Sequence, residues 1–80
     1  MPKAQHNPPY RPLPAYLREL REQADLTQRA LGDKLSKPQS WVYNCEAGIR
    51  RVDVTEFAAW ALACHHNPVE AFSTFIQRRK

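Results

Sequence analysis

Glycine is scarce in this chain, with Gly32 and Gly48 the only two. A glycine-rich phosphate cradle is therefore excluded, and no acid–base dyad stands out, so the chain carries nothing that supports an enzyme. Cysteine is equally scarce. Cys45 and Cys64 both fall inside apolar helical patterns and read as small buried hydrophobes rather than as a disulfide. The run Cys64-His65-His66 invites a metal, but successive helical residues point about 100° apart, so no two of the three share a face as an i, i+4 ligand pair would. No metal and no cofactor are expected. Long apolar runs are missing too: nothing approaches the roughly 20 residues of a membrane span, and Met1–His6 lacks the apolar core of a signal peptide. The expectation is a cytoplasmic protein with no membrane partner and no evident small-molecule effector. Neither a strand pattern nor an internal repeat is present.

What is present is basic charge in one place. The net charge is +4, and residues 27–51 carry Arg29, Lys34, Lys37, Arg50 and Arg51 against Asp33 and Glu46, whereas residues 52–77 carry only Asp53, Glu56 and Glu70. The middle is thus +3 and the following stretch −3, a distribution suited to a polyanion meeting the middle. Five of the seven prolines lie within residues 1–14, which disfavours helix and sheet there. Residues 1–13 read as a flexible Pro-rich arm, 14–77 as the folded domain and 78–80 as a basic tail.

Apolar periodicity divides the domain into five helices. Leu13, Tyr16, Leu17, Leu20 and Ala24 share one face of the first, with Pro14 in its opening turn. Thr27 caps the second, with Ala30, Leu31 and Leu35 inward. Pro38 opens the third, with Val42 and Cys45 inward. Asp53-Val54-Thr55-Glu56 has capping-box spacing ahead of Phe57, Ala58, Ala61, Leu62 and His65, the fourth. Asn67-Pro68-Val69-Glu70 starts the fifth, with Val69, Phe72, Phe75 and Ile76 apolar. Helices two and three span only two turns each, so their order must come from packing. A compact part of about 60 residues buries only about 60% of its unfolded-chain surface, so self-association would stabilise it.

Helix three carries Gln39, Ser40, Tyr43 and Asn44 where a core-packed helix has little use for amides and hydroxyls. Such groups are matched to base edges in a DNA groove. Lys37, Arg50 and Arg51 flank this helix as candidate phosphate contacts. Trp41 has two readings, stacking on the sugar–phosphate backbone or packing in the core, and both stay open at this point.

From about Leu17 to Phe72 the chain resembles the lambda-repressor-like (Cro/C1-type, XRE-like) helix-turn-helix family. The carriers are Leu20-Arg21, Leu26-Thr27-Gln28, Gln39-Ser40, Val42, Glu46 with Gly48, and Arg50-Arg51, above all the mutual spacing of Gln28, Gln39, Glu46 and Gly48. The resemblance implies an all-α, compact five-helix domain whose second and third helices form the motif. It also implies that Gln39 and Ser40 meet base edges, that Gln28 meets a phosphate and braces Gln39, and that Arg21 and Glu46 form a structural ion pair. Three departures stand out: Ser36 where the family has glycine after helix two, Gly32 where it has alanine at the crossing of helices two and three, and Tyr43 and Trp41 in place of smaller residues. The expected function is sequence-specific transcriptional regulation, most simply repression, by a homodimer that binds a palindromic double-stranded DNA operator. Val69, Phe72, Phe75 and Ile76 are the expected dimer contacts. The alternative is a protein-interaction module with a toxin or polymerase subunit as partner.

Overall fold

Five helices account for most of residues 12–78, the part of the chain that the computed structural model describes: α1 (Pro12–Gln23), α2 (Gln28–Leu35), α3 (Gln39–Glu46), α4 (Val54–Ala63) and α5 (Pro68–Arg78). Three start on a side-chain cap. Thr27 Oγ1 accepts from the Ala30 N–H at 3.0 Å, and Asn67 Oδ1 accepts from Val69 at 2.8 Å and Glu70 at 3.2 Å. Asp53 and Glu56 form a reciprocal capping box, Asp53 Oδ1 accepting from the Glu56 N–H at 2.8 Å and Glu56 Oε1 from the Asp53 N–H at 3.0 Å. Each cap pairs N–H groups that the first helical turn leaves without a partner.

The first four helices stop in one repeated way. Asp25, Ser36, Gly48 and His65 all have positive φ, at 62°, 58°, 78° and 65°. In every case the N–H of the following residue reaches five residues back: Leu26 to Arg21 O, Lys37 to Gly32 O, Ile49 to Asn44 O and His66 to Ala61 O. These are Schellman ends. Only one of the four uses glycine, so the other three carry the cost of a left-handed non-glycine residue, about 1–2 kcal/mol each.

Glycine is instead needed at Gly32, inside α2. A Cβ there would lie 2.6 Å from the Lys37 carbonyl oxygen, a backbone atom held in place by the Lys37 N–H to Gly32 O bond of 2.8 Å. The turn that sets α3 against α2 thus closes directly over Gly32. Gly32→Ala should destabilise the fold by about 1–3 kcal/mol, the cost of overpacking a rigid site, although alanine is the better helix former by up to about 1 kcal/mol. Urea unfolding checks this, and a variant as stable as the parent would show that the turn has room.

The core joins all five helices. Leu13, Tyr16, Leu17 and Leu20 of α1 meet Leu31, Val42, Cys45, Phe57, Trp60, Ala61, Cys64, Ala71 and Phe75. Trp60 is fully buried, and its Nε1 donates to Leu17 O at 3.0 Å. Tyr16 donates its hydroxyl to Ala71 O at 2.9 Å, tying α1 to α5.

Several expectations need correcting. Helix one begins at Pro12, and Leu13 belongs to the core rather than to the arm; residues 1–11 of the expected arm and 79–80 of the expected tail lie outside the described residues. Arg78 closes α5, bonded to Glu19 at 2.8 Å and lying over the Tyr16 ring. The inward face of α4 is Phe57, Trp60, Ala61 and, at its end, Cys64, while Leu62 is exposed and His65 lies beyond the helix. Phe75, expected at a dimer interface, is buried against Tyr16 with ring centroids 5.9 Å apart.

Candidate nucleic-acid interface

A line of hydrogen bonds runs from the interior to the outer start of α3. Arg21 Nε and Nη2 donate to the two oxygens of Glu46 at 2.6 and 3.0 Å, and Arg21 Nη1 donates to Leu26 O at 2.7 Å. The side chains of this pair are only 11% and 5% exposed. Glu46 also accepts from Gln28 Nε2 at 3.1 Å, and Gln28 Oε1 accepts from Gln39 Nε2 at 2.7 Å. Four residues from α1, α2 and α3 are therefore coupled, and the chain of bonds ends on the exposed amide of Gln39. The guanidinium of Arg21 is held more firmly protonated by its bond to Glu46, against the opposing effect of burial.

Helix α3 presents its polar residues outward. Its residues advance by about 100° each, so Gln39, Tyr43, Ser40 and Asn44 sweep an arc opposite the buried Val42 and Cys45. Gln39 and Ser40 are exposed, Tyr43 is 52% exposed and Asn44 is half-buried at the edge of the arc. The backbone oxygen of Asn44 also accepts from Ile49 and Arg50, at 2.9 and 3.1 Å, where the chain leaves the helix. The left-handed Ser36 and the close approach at Gly32 together fix the angle between α2 and α3.

The flanking cations are held differently from one another. Trp41 is half-buried and packs against Trp60, ring centroids 6.1 Å apart, so its indole is part of the fold. The Lys37 ammonium and the Arg50 guanidinium lie over that ring at 5.3 and 5.1 Å. Arg50 is also bound bidentately to Glu56, both bonds 2.9 Å, and donates to Arg51 O at 2.7 Å. Expected as a phosphate clamp, Arg50 instead has its charge offset by a carboxylate that joins the α3–α4 loop to α4. Lys37 and Arg51 are exposed beside α3.

Two carboxylates at the start of α4 give a pH dependence. The Arg50 guanidinium, then the Asp53 N–H, hold Glu56 below the usual range, and the Glu56 N–H, then the Thr55 hydroxyl, do the same for Asp53. With folded values below unfolded ones, the stabilisation is complete above the unfolded pKa of about 4 and is lost as pH falls through the depressed folded values. The melting temperature should therefore drop from about pH 4 downward, and Glu56→Gln should flatten that drop; an unchanged acid limb in this variant would assign the loss to other groups.

Burial pushes the thiols of Cys45 and Cys64 up to about 11, so both are protonated and unreactive at neutral pH. Among the described residues no group of three or more His, Cys, Asp or Glu could hold a metal, and no helix is long and apolar enough to cross a membrane. Three features of the site escaped the sequence reading. The bond between Gln28 and Glu46 joins two pairs that were read separately, and Glu56, read only as a capping residue, is the partner of Arg50. The exposed Ile49 beside Arg50 had no sequence signal either.

The arrangement of α2 and α3, a short helix, a left-handed turn and a second helix with an outward polar face, is matched by a comparison of sequences. A family model described as a helix-turn-helix domain covers residues 13–71, from α1 through α4 and into the first turn of α5. No curated protein matches the chain. The five-helix, lambda-repressor-like arrangement and the extent of that match lead to one conclusion: the chain belongs to the helix-turn-helix domain family, whose fold is a DNA-binding one.

Proposed function

We propose that this protein is a sequence-specific DNA-binding regulator of transcription, which represses by occupying a palindromic operator as a homodimer. The observation that carries the reading is the hydrogen-bonded line Arg21–Glu46–Gln28–Gln39, which holds an amide rigidly at the exposed start of α3. In this reading α3 enters the major groove. Gln39 and Ser40 meet base edges, and Tyr43 and Asn44 reach the neighbouring bases or backbone. Gln28, Lys37 and Arg51 hold phosphates, while Trp41 and Arg50 support them from below. Repression is the simplest outcome for a domain that occupies a promoter, and the cytoplasm is the compartment in which it meets DNA.

The dimer reading is supported by an apolar surface where α4 and α5 diverge. Val54, Val69 and Phe72 are exposed there, beside a groove of about 380 Å³ floored by Leu13, Phe57 and Phe75. The dimer contacts in this reading are Val54, Val69, Phe72 and Ile76, with Phe75 buried within the protomer. A two-fold axis on this face would set the two α3 helices about 34 Å apart, one turn of DNA. The same surface favours the second reading, a protein-interaction module, because a partner such as a toxin or polymerase subunit would meet it equally well.

Salt dependence tests the DNA reading. Affinity for duplex DNA should fall steeply with ionic strength, and Lys37→Ala and Arg51→Ala should each reduce the slope of log K against log salt by about 1. Arg50→Ala, whose charge is already offset, should lower the melting temperature and change the slope less. Slopes identical to the parent in both the Lys37 and Arg51 variants would remove those two residues from the phosphate contacts.

A further inference from the structure

We infer that Glu46, which is nearly fully buried, is a positioning residue for base specificity: it fixes the direction of two successive amides and thereby makes Gln39 favour adenine over guanine. The inference rests on the reading that Gln39 meets a base edge.

An ionised carboxylate only accepts hydrogen bonds. Glu46 already receives two from Arg21, and the third, at 3.1 Å, must come from the amide nitrogen of Gln28. That turns the Gln28 carbonyl oxygen toward α3. A carbonyl also only accepts, so the group facing it at 2.7 Å must be the amide nitrogen of Gln39. The direction set at Glu46 thus propagates through two side chains that would otherwise be free to turn over. What Gln39 has left to offer outward is its carbonyl oxygen and its second N–H. In the major groove adenine presents a donor and an acceptor, N6–H and N7, and matches both. Guanine presents two acceptors, O6 and N7, and sets one of them against the Gln39 oxygen. No feature of Gln39 alone imposes this choice, since an unrestrained amide can turn its nitrogen to the guanine oxygen.

The decisive variants are at Gln28, because altering Glu46 would also break its ion pair with Arg21. In Gln28→Lys the ammonium, which only donates, bonds to Glu46 and must also donate to Gln39, turning the Gln39 oxygen inward and its nitrogen outward. Gln28→Leu removes both bonds and lets the amide turn. Each variant, with Gln39→Ala and the parent, is confirmed folded by circular dichroism and titrated against a pair of duplexes. The duplexes carry the site that the parent selects from randomised DNA and differ only by A·T or G·C at the position read by Gln39.

The ratio of the two affinities cancels any general gain or loss of charge. It should fall by about tenfold or more in Gln28→Lys, within the discrimination one bidentate contact supplies, and fall part of the way in Gln28→Leu. Equal ratios in the parent, Gln28→Lys and Gln28→Leu, with the ratio abolished in Gln39→Ala, would overturn the inference and leave the reading by Gln39 intact. Failure of Gln39→Ala to alter preference at any position would overturn both.

Discussion

Arg21→Met is expected to cost about 3–5 kcal/mol, the penalty for stripping one partner from a buried ion pair. Glu46 would keep only Gln28 as a donor from a set of three, and Leu26 O would lose the bond from Arg21 that holds the turn between α1 and α2. Against the 5–15 kcal/mol typical of a whole domain, with small domains at the low end, such a loss leaves the variant largely unfolded near 37 °C. Arg18→Met is the internal control. Its pair with Glu22 is an exposed i, i+4 contact on the same helix, worth at most about 0.5 kcal/mol. Urea denaturation of both variants should separate them by several kcal/mol, and similar midpoints would mean that the Arg21–Glu46 contact is no more than a surface pair.

Two aromatic residues three positions apart on α5 should respond in opposite ways to a charge. Phe75→Asp is expected to abolish folding. Its ring is 7% exposed and stacked on Tyr16, and losing a buried Phe alone costs about 3–5 kcal/mol before the cost of burying a carboxylate is added. Phe72→Asp, at a position 50% exposed, should leave the circular dichroism spectrum of a folded helical protein while halving the mass seen by light scattering. A parent that scatters as a monomer, free and on DNA, would contradict the homodimer and turn attention to a different partner for the α4–α5 surface. A Phe75→Asp variant that folds normally would contradict the packing described for α5.

The parts of this structure that were legible in the sequence are those with a local chemical signal. Thr27, Asp53 and Asn67 announce helix starts because a short polar side chain at that point can satisfy free N–H groups. The four apolar residues of α1 recur at helical spacing beside charged neighbours, so only one face can turn inward. Helix α4 lacks that contrast. From Val54 to Ala63 it is apolar on nearly every side, and periodicity could not tell Trp60, which is buried, from Leu62, which is not. The choice is made by a long-range contact, the Trp60 N–H to Leu17 O, which no local pattern encodes. The helix ends show the same limit. Glycine would have marked the left-handed turns at Asp25, Ser36 and His65, yet the chain places L-residues there, and tertiary packing holds them against their intrinsic preference.

The candidate site divides along the same line. The family resemblance implied Gln28 with Gln39 and Arg21 with Glu46 as two pairs, and their connection into one line depends on side-chain geometry across three helices. Arg50 was placed by its charge beside the reading helix and Trp41 was open between backbone stacking and core packing; a carboxylate six residues away and a second indole tie them to the fold.

The central claim is that the outward face of α3 reads a DNA sequence, and selection of bound duplexes from a fully randomised pool tests it most directly. The account predicts enrichment of one site with two inverted half-sites spaced by a helical turn, containing an adenine whose preference disappears in Gln39→Ala. Recovery of unenriched sequences by the folded parent, or of the same site with the same preferences by Gln39→Ala, would contradict it.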